Sequence, residues 1–200
     1  MKLFDLISPV YGLFFKYQVK NFEQVLDLAE GEGVDLKKCE SVLDIGCGTG
    51  ALYKALHDRG IKVTGVETSR GMLSQARRKL ADIEARCLEV RPGGSLPFAD
   101  RSFDLVITSY VAHGLEKDDR LVFYREMQRL AKKMVIVYDY NDERELLTSV
   151  VEWLEGGDYF NFIKQATGEL EELFGNVRIL TVGKRAAWYI CEVGGELGEE

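Results

Sequence analysis

Residues 42 to 50 read Val-Leu-Asp-Ile-Gly-Cys-Gly-Thr-Gly, a short apolar run that meets three glycines spaced two apart. A helix-forming stretch, Ala51 to Arg59, follows at once. That succession narrows the fold sharply, because a near-continuous apolar strand is what a parallel sheet covered on both faces requires. Glycines at 46, 48 and 50 permit positive φ and let the main chain approach a ligand more closely than any Cβ would allow. A dinucleotide fingerprint, G-x-G-x-x-G, sets a helix N-terminus against a pyrophosphate. Here the spacing is G-x-G-x-G, and an acid, Asp44, stands inside the strand two positions before the first glycine.

The rest of the chain alternates in the same manner. Phe15, Val19, Phe22, Leu26 and Ala29 recur at helical spacing across Phe14 to Glu30. Strands are expected at Ser41 to Ile45, Lys62 to Val66, more weakly Ala85 to Glu89, then Phe103 to Ser109 and Met134 to Tyr138. Between them come a helix carrying Met72, Leu73, Ala76 and Leu80, and another over Asp118 to Lys132 with Phe123, Met127, Leu130 and Ala131 as its buried stripe. Beyond Asn141 the pattern gives helices at Glu143 to Glu155 and Tyr159 to Phe174, then strands at Val177 to Val182 and Ala187 to Glu192. Strand and helix in alternation place the chain in the α/β class. With no repeat and no composition shift, residues 1–193 are expected to form a single domain, and 194–200 a frayed tail. An open sheet of this kind binds ligands beyond the carboxyl ends of its strands. Those ends are Asp44 to Gly50, Glu67, the stretch after Glu89, Ser109 to Gly114 and Tyr138 to Tyr140.

Charge and cysteine usage narrow the partners. With 26 Lys and Arg against 33 Asp and Glu, the formal charge is −7. That disfavours nucleic acid, whose affinity rests on clustered basic residues. Cys39, Cys47, Cys87 and Cys191 contain no CxxC pair, and two histidines are too few for a finger-like metal site. No metal is expected, and a reduced, cytoplasmic setting fits. The opening MKLFDLISPVYGLFF is interrupted by Asp5, Pro9 and Gly12 and reads as neither a signal peptide nor a membrane span.

Val42 to Gly50 resembles the first motif of class I S-adenosylmethionine-dependent methyltransferases. Later segments keep the same order. Leu96-Pro97-Phe98 and Ser102-Phe103-Asp104-Leu105-Val106 resemble the "LPF…SFDLV" stretch of the small-molecule branch, and Val111-Ala112-His113-Gly114-Leu115 stands where many members carry "LHHL". Phe4 to Tyr11 is similar to the opening of the quinone-biosynthesis-type enzymes, where such a segment helps cover the cofactor. The likeness spans about residues 4 to 140. It implies a Rossmann-like, seven-stranded, mostly parallel sheet with helices on both faces and a C-terminal antiparallel strand. It also implies an N-terminal lid helix and a helical insert at about 141–175. The implied cofactor is S-adenosyl-L-methionine, with S-adenosyl-L-homocysteine as product. Two stretches depart from the family: Arg91-Pro92-Gly93-Gly94-Ser95 lacks the usual Asp before "LPF", and Leu130 to Met134 replaces the "KPGG" turn.

The resemblance assigns Glu67 to the ribose hydroxyls, since one carboxylate accepts from two vicinal hydroxyls. Asp44 orients the loop and the methionine ammonium end. Gly46, Cys47, Gly48, Gly50, Thr68, Ser109, Tyr110 and, from the first segment, Tyr11 complete the expected cofactor contacts, with Tyr17 a second aromatic cap. Glu89 or a main-chain carbonyl takes the adenine amino group. His113 reads equally as a general base or as a hydrogen-bonded structural residue. Asp139 and a tyrosinate such as Tyr138 are the other bases within this reading. Trp153, Tyr159, Phe160 and Phe162 read as pocket lining or as ordinary helix packing. The expected activity is methyl transfer to a small molecule, by a chain that forms a possible homodimer. The rivals are a nicotinamide-dependent oxidoreductase, which shares the glycine loop and ribose acid, and a cofactor-binding protein without catalysis.

Overall fold

The computed structural model describes residues 13–141 and 159–194. The chain divides into two compact units, Met1–Leu96 and Pro97–Glu200.

In the first unit, α1 (Phe15–Gly31) leads into β1 (Ser41–Ile45), α2 (Ala51–His57), β2 (Lys62–Glu67), α3 (Arg70–Lys79) and β3 (Arg86–Glu89). The three strands are parallel, with Asp44 opposite Gly65, Gly65 opposite Cys87 and Glu67 opposite Glu89. Four of five residues of β1 and five of six of β2 are buried, as strands covered on both faces must be. Helix α1 buries Phe15, Val25, Leu26 and Ala29. Tyr53 of α2 joins helix to sheet: its hydroxyl donates to the Val63 carbonyl at 3.0 Å and accepts from the Arg86 amide at 3.1 Å. Ser69 caps α3 by accepting the Met72 amide at 3.1 Å, the role its residue type suits.

In the second unit, β4 (Phe103–Ser109) is followed by α4 (Lys117–Leu130), β5 (Ala131–Tyr140), α5 (Tyr159–Phe174), β6 (Val177–Gly183) and β7 (Ala186–Glu192). Strands β4 and β5 are parallel, and β7 runs antiparallel to both β5 and β6. The strands form a seven-stranded sheet in the order β3-β2-β1-β4-β5-β7-β6. The parallel sheet with its antiparallel C-terminal strand is the architecture expected from the sequence.

One boundary moves. Helix α4 stops at Leu130 rather than Lys132, and β5 begins at Ala131, which pairs with Phe103. Arg129 offers its carbonyl to the Arg101 amide at 2.8 Å, and Lys132 and Lys133 lie 3.9 and 3.4 Å from Asp104. The buried stripe of α4 is Arg120, Tyr124, Met127 and Leu130, with Phe123 only half-buried. Residues 1–12, 142–158 and 195–200 lie outside the described residues, as do the expected helix at Glu143 to Glu155 and all of the expected tail but Gly194. No helix among the described residues is long and apolar enough to cross a membrane. No cluster of His, Cys, Asp and Glu there is suited to a metal ion.

Candidate functional site

The glycine loop after β1 is held by its own main chain. The amides of Gly46 and Cys47 both donate to the Val66 carbonyl, at 2.9 and 3.1 Å, and Gly50 donates to Cys47 at 2.8 Å. Gly46, Gly48 and Gly50 have φ of 77°, 54° and 84°, so each expected glycine sits where L side chains are strained. Gly50 is needed for a second reason: a Cβ there would stand 2.7 Å from Leu80 Cδ1. At Gly48 a Cβ would meet nothing nearer than the Gly46 carbonyl at 4.0 Å, so the loop presents bare backbone to open space.

Glu67 ties this loop to the start of α3. One carboxylate oxygen accepts the Gly48 amide at 2.8 Å, and the other accepts the amides of Thr68 and Ser69, each at 2.8 Å. Glu67 is 8% exposed. Acid and loop therefore form one hydrogen-bonded cradle, with the Thr68 side chain half-buried beside it. Asp44 is fully buried on β1, and neither of its oxygens has a hydrogen-bond partner among the described residues. Burial pushes its carboxyl well above the ordinary 3.8, and the negative neighbours Cys87 and Glu67 add to the shift. A buried carboxylate without donors is costly, and it is stabilised by a cationic or hydrogen-bond-donating ligand group. The cradle thus offers bare amide backbone, a carboxylate for a diol, and a second carboxylate suited to a cation.

Glu89 takes a different course. It stands exposed at the end of β3 and accepts from the Arg70 Nε at 2.8 Å. Tyr11 lies outside the described residues. Tyr17, on α1, is 65% exposed.

In the second unit, the ends of β4 and β5 gather the remaining candidates. His113, in a short turn after β4, sets its Nδ1 2.7 Å from Asp139 Oδ1. The His113 amide donates to the other Asp139 oxygen at 3.3 Å, and the Tyr140 amide donates to Oδ1 at 2.9 Å. Asp139 is fully buried and His113 nearly so. An acceptor-only carboxylate at Nδ1 fixes the imidazole tautomer with its proton on Nδ1, which leaves Nε2 as the basic nitrogen. The sequence named both residues, and the structure makes them a pair.

Aromatic rings surround that pair. Tyr140 stands edge-on to the His113 ring at 4.8 Å, Phe162 of α5 lies 6.5 Å from it, and Tyr110 contacts Tyr138 and Tyr140 at 4.9 and 5.3 Å. Tyr110 follows Ser109, which is half-buried at the end of β4, and adopts φ 54°, a strained conformation for a bulky residue. Its amide donates to the Tyr138 carbonyl at 2.9 Å, and its hydroxyl donates to the Tyr138 hydroxyl. Burial raises Tyr138 above its ordinary 10, outweighing the Tyr110 hydrogen bond that lowers it. That works against a tyrosinate at neutral pH. Phe162 is fully buried. Trp153 lies outside the described residues.

One cluster was not foreseen. Arg120 and Glu169 are a buried bidentate pair at 2.6 and 2.7 Å that joins α4 to α5. Arg120 also donates to the Leu115 carbonyl at 2.7 Å and lies over the Phe162 ring at 5.7 Å. The pair therefore braces the turn that carries His113. Its sequence signal is slight: Arg120 lies on the stripe shared by Tyr124 and Met127.

Comparison with known proteins agrees with this geometry. Residues 42–134 match the model of a methyltransferase domain. An uncharacterized methyltransferase of Alkaliphilus oremlandii is 28% identical over 181 residues, covering 83% of this chain and 81% of that protein. A demethylmenaquinone methyltransferase of Thermotoga maritima is 31% identical over 145 residues, covering 66% of this chain and 57% of the relative's length. The crystal structure of a putative S-adenosyl-L-methionine-dependent methyltransferase from Methanococcus maripaludis superposes with TM-score 0.72 at 18% identity, over 96% of this chain and 95% of that one. In motif order, in its sheet and in these relatives the chain is similar to the class I S-adenosylmethionine-dependent methyltransferases, and residues 42–134 carry the match to a methyltransferase domain.

Proposed function

We propose that this chain transfers a methyl group from S-adenosylmethionine to a small planar acceptor, with His113 taking the acceptor's proton. The first unit supplies the cofactor cradle. Gly46 to Gly50 offer backbone to the amino-acid portion, Glu67 accepts from the ribose hydroxyls, and the donorless Asp44 carboxylate answers the positive charge of the methionine end. The fit rests on an observation independent of family likeness: a fully buried carboxylate with no hydrogen-bond partner among the described residues beside a backbone loop open to a ligand. The bound cofactor supplies a methyl group already activated by its sulfonium, so the protein's work is chiefly positioning and exclusion of water.

The observation that carries the acceptor chemistry is the buried His113 to Asp139 contact at 2.7 Å. A hydroxyl or an acidic C–H must lose a proton when it is methylated, and an imidazole oriented by a carboxylate is suited to accept it. As Nε2 gains that proton, Asp139 stabilises the resulting imidazolium. The rings of Tyr110, Tyr138 and Tyr140 favour a flat, conjugated acceptor over a flexible aliphatic one. The relative named for demethylmenaquinone supports the same direction.

The test is turnover of S-adenosylmethionine with a panel of hydroxyaromatic and quinol compounds, followed by mass spectrometry of product and S-adenosylhomocysteine. Asp139→Asn is expected to lower kcat by about 10²–10⁴-fold while leaving affinity for S-adenosylhomocysteine unchanged. Unaltered kcat in that variant would remove His113 and Asp139 from the chemistry. Tighter binding of NAD than of S-adenosylhomocysteine would instead favour an oxidoreductase.

A further inference from the structure

Cys47 and Cys87 converge on a space that only a glycine leaves open. Gly65, in the middle of β2, pairs with Asp44 on one side and Cys87 on the other. A Cβ on Gly65 would lie 2.9 Å from Cys47 Sγ, 3.1 Å from Cys47 Cβ and 3.3 Å from Cys87 Sγ. Both sulfurs therefore crowd the place a side chain at 65 would take, one arriving from the glycine loop and the other from β3. The Cys47 thiol donates to the Cys87 sulfur, and both cysteines are free and buried. Glycine in a strand interior is otherwise unfavourable, and its use here fits a close approach of neighbouring groups.

We infer that Cys47 and Cys87 are a disulfide-forming pair that hydroperoxide-class oxidants close, and that closing it disables the cofactor loop. The step balances with peroxide as the oxidant. The Cys87 thiolate attacks one peroxide oxygen, the O–O bond breaks, and the departing hydroxide takes up a proton to leave as water. The Cys87 sulfenic acid is then attacked by the Cys47 sulfur. The S–S bond forms, the S–O bond breaks, and the hydroxyl leaves as a second water with the Cys47 proton. Cys87 is the better first nucleophile. It accepts the hydrogen bond of the Cys47 thiol and lies near the Arg77 guanidinium, and both lower its pKa. Cys47, by contrast, is held as a thiol by that same hydrogen bond and by its burial beside Asp44.

The consequence follows from where Cys47 stands. It lies between Gly46 and Gly48, its own amide donates to Val66, and the next amide donates to Glu67. A disulfide holds its sulfurs at about 2.05 Å with restricted torsions. Drawing Cys47 Sγ toward β3 displaces the peptide groups that the cradle uses. The loss of function rests on the cofactor reading above, whereas the crosslink itself does not.

The experiment treats the reduced full chain with hydrogen peroxide, then reads intact mass, peptide linkage and binding of S-adenosylhomocysteine by calorimetry. The expected result is loss of two hydrogens in mass, a Cys47–Cys87 linked peptide, at least about tenfold weaker binding and full recovery with dithiothreitol. Cys87→Ser is expected to bind S-adenosylhomocysteine like the reduced parent and to keep that affinity after peroxide. Cys39→Ser is expected to lose affinity on oxidation as the parent does. Addition of one or two oxygens without a linked peptide, a crosslink between chains, or a linked peptide with unchanged affinity would each overturn the inference. If the reduced protein binds no S-adenosylhomocysteine, the cofactor reading and the loss of function fail together. Mass and peptide linkage still decide whether the pair forms.

Discussion

Glu67→Gln is the substitution that bears most directly on the cradle, because it keeps the shape of the side chain and changes only charge and hydrogen-bond character. In the native chain the carboxylate accepts three main-chain amides, from Gly48 on one oxygen and from Thr68 and Ser69 on the other, all at 2.8 Å. Glutamine has one acceptor oxygen and one donor nitrogen. Its less costly orientation turns the oxygen to the Thr68 and Ser69 pair and sets its NH₂ against the Gly48 amide, donor facing donor. One charge-assisted hydrogen bond is lost and one part-buried amide is stranded, a cost of about 1.5–3 kcal/mol. Gly48 is the half-buried centre of the loop, and the same carboxylate is assigned to the ribose, so the cost falls on cofactor binding. At 1.4 kcal/mol per decade this corresponds to roughly 10–150-fold weaker binding of S-adenosylhomocysteine. Calorimetric titration measures it, with far-UV circular dichroism confirming an unchanged fold. Affinity within about twofold of the parent would refute the reasoning, since neither the loop lock nor the ribose contact would then depend on the charge.

Three further expectations concern stability. Gly50→Ala is expected to cost at least about 2 kcal/mol in urea unfolding, because a Cβ would meet Leu80 Cδ1 at 2.7 Å on backbone at φ 84°. Arg120→Met is expected to lose about 3–5 kcal/mol by stranding the buried Glu169, and adding Glu169→Leu should recover most of it. Asp44→Asn tests the donorless carboxylate through pH. The native state holds the Asp44 proton more tightly than the unfolded chain, whose carboxyl titrates near 3.8. The parent's stability from this group is therefore complete below that pH and declines as pH rises toward the elevated native value. Asp44→Asn should unfold later in urea than the parent at pH 7 to 8 and lose that advantage near pH 4, where a constant difference would show that Asp44 is not strained.

Much of the frame was legible in the sequence because it rests on local rules. The apolar runs of β1, β2 and β4, the three loop glycines and the Ser69 cap each carry their signal in adjacent residues. Where a boundary depends on a partner strand, the signal fades: Ala131 reads as helix by periodicity but is drawn into β5 by pairing with Phe103. The same limit applies to the sites. His113 and Asp139 were identifiable as strand-end residues, yet their 2.7 Å contact spans 26 positions and no spacing rule announces it. Arg120 and Glu169 lie 49 apart, and a buried arginine on an apolar stripe reads at first as an exposed one. The Cys47 and Cys87 pair had a single sequence clue, a glycine inside the strand that separates them. That Asp44 lacks donors belongs to packing, which the sequence of its strand does not express.

The central claim is that the Gly46 to Gly50 loop and Glu67 form a cofactor cradle. A crystal structure of the protein with S-adenosylhomocysteine tests it most directly. The account predicts ribose hydroxyls within hydrogen-bond distance of the Glu67 carboxylate and the homocysteine end lying along the glycine loop beside Asp44. Well-defined ligand density elsewhere, with Glu67 still satisfied only by Gly48, Thr68 and Ser69, would contradict it.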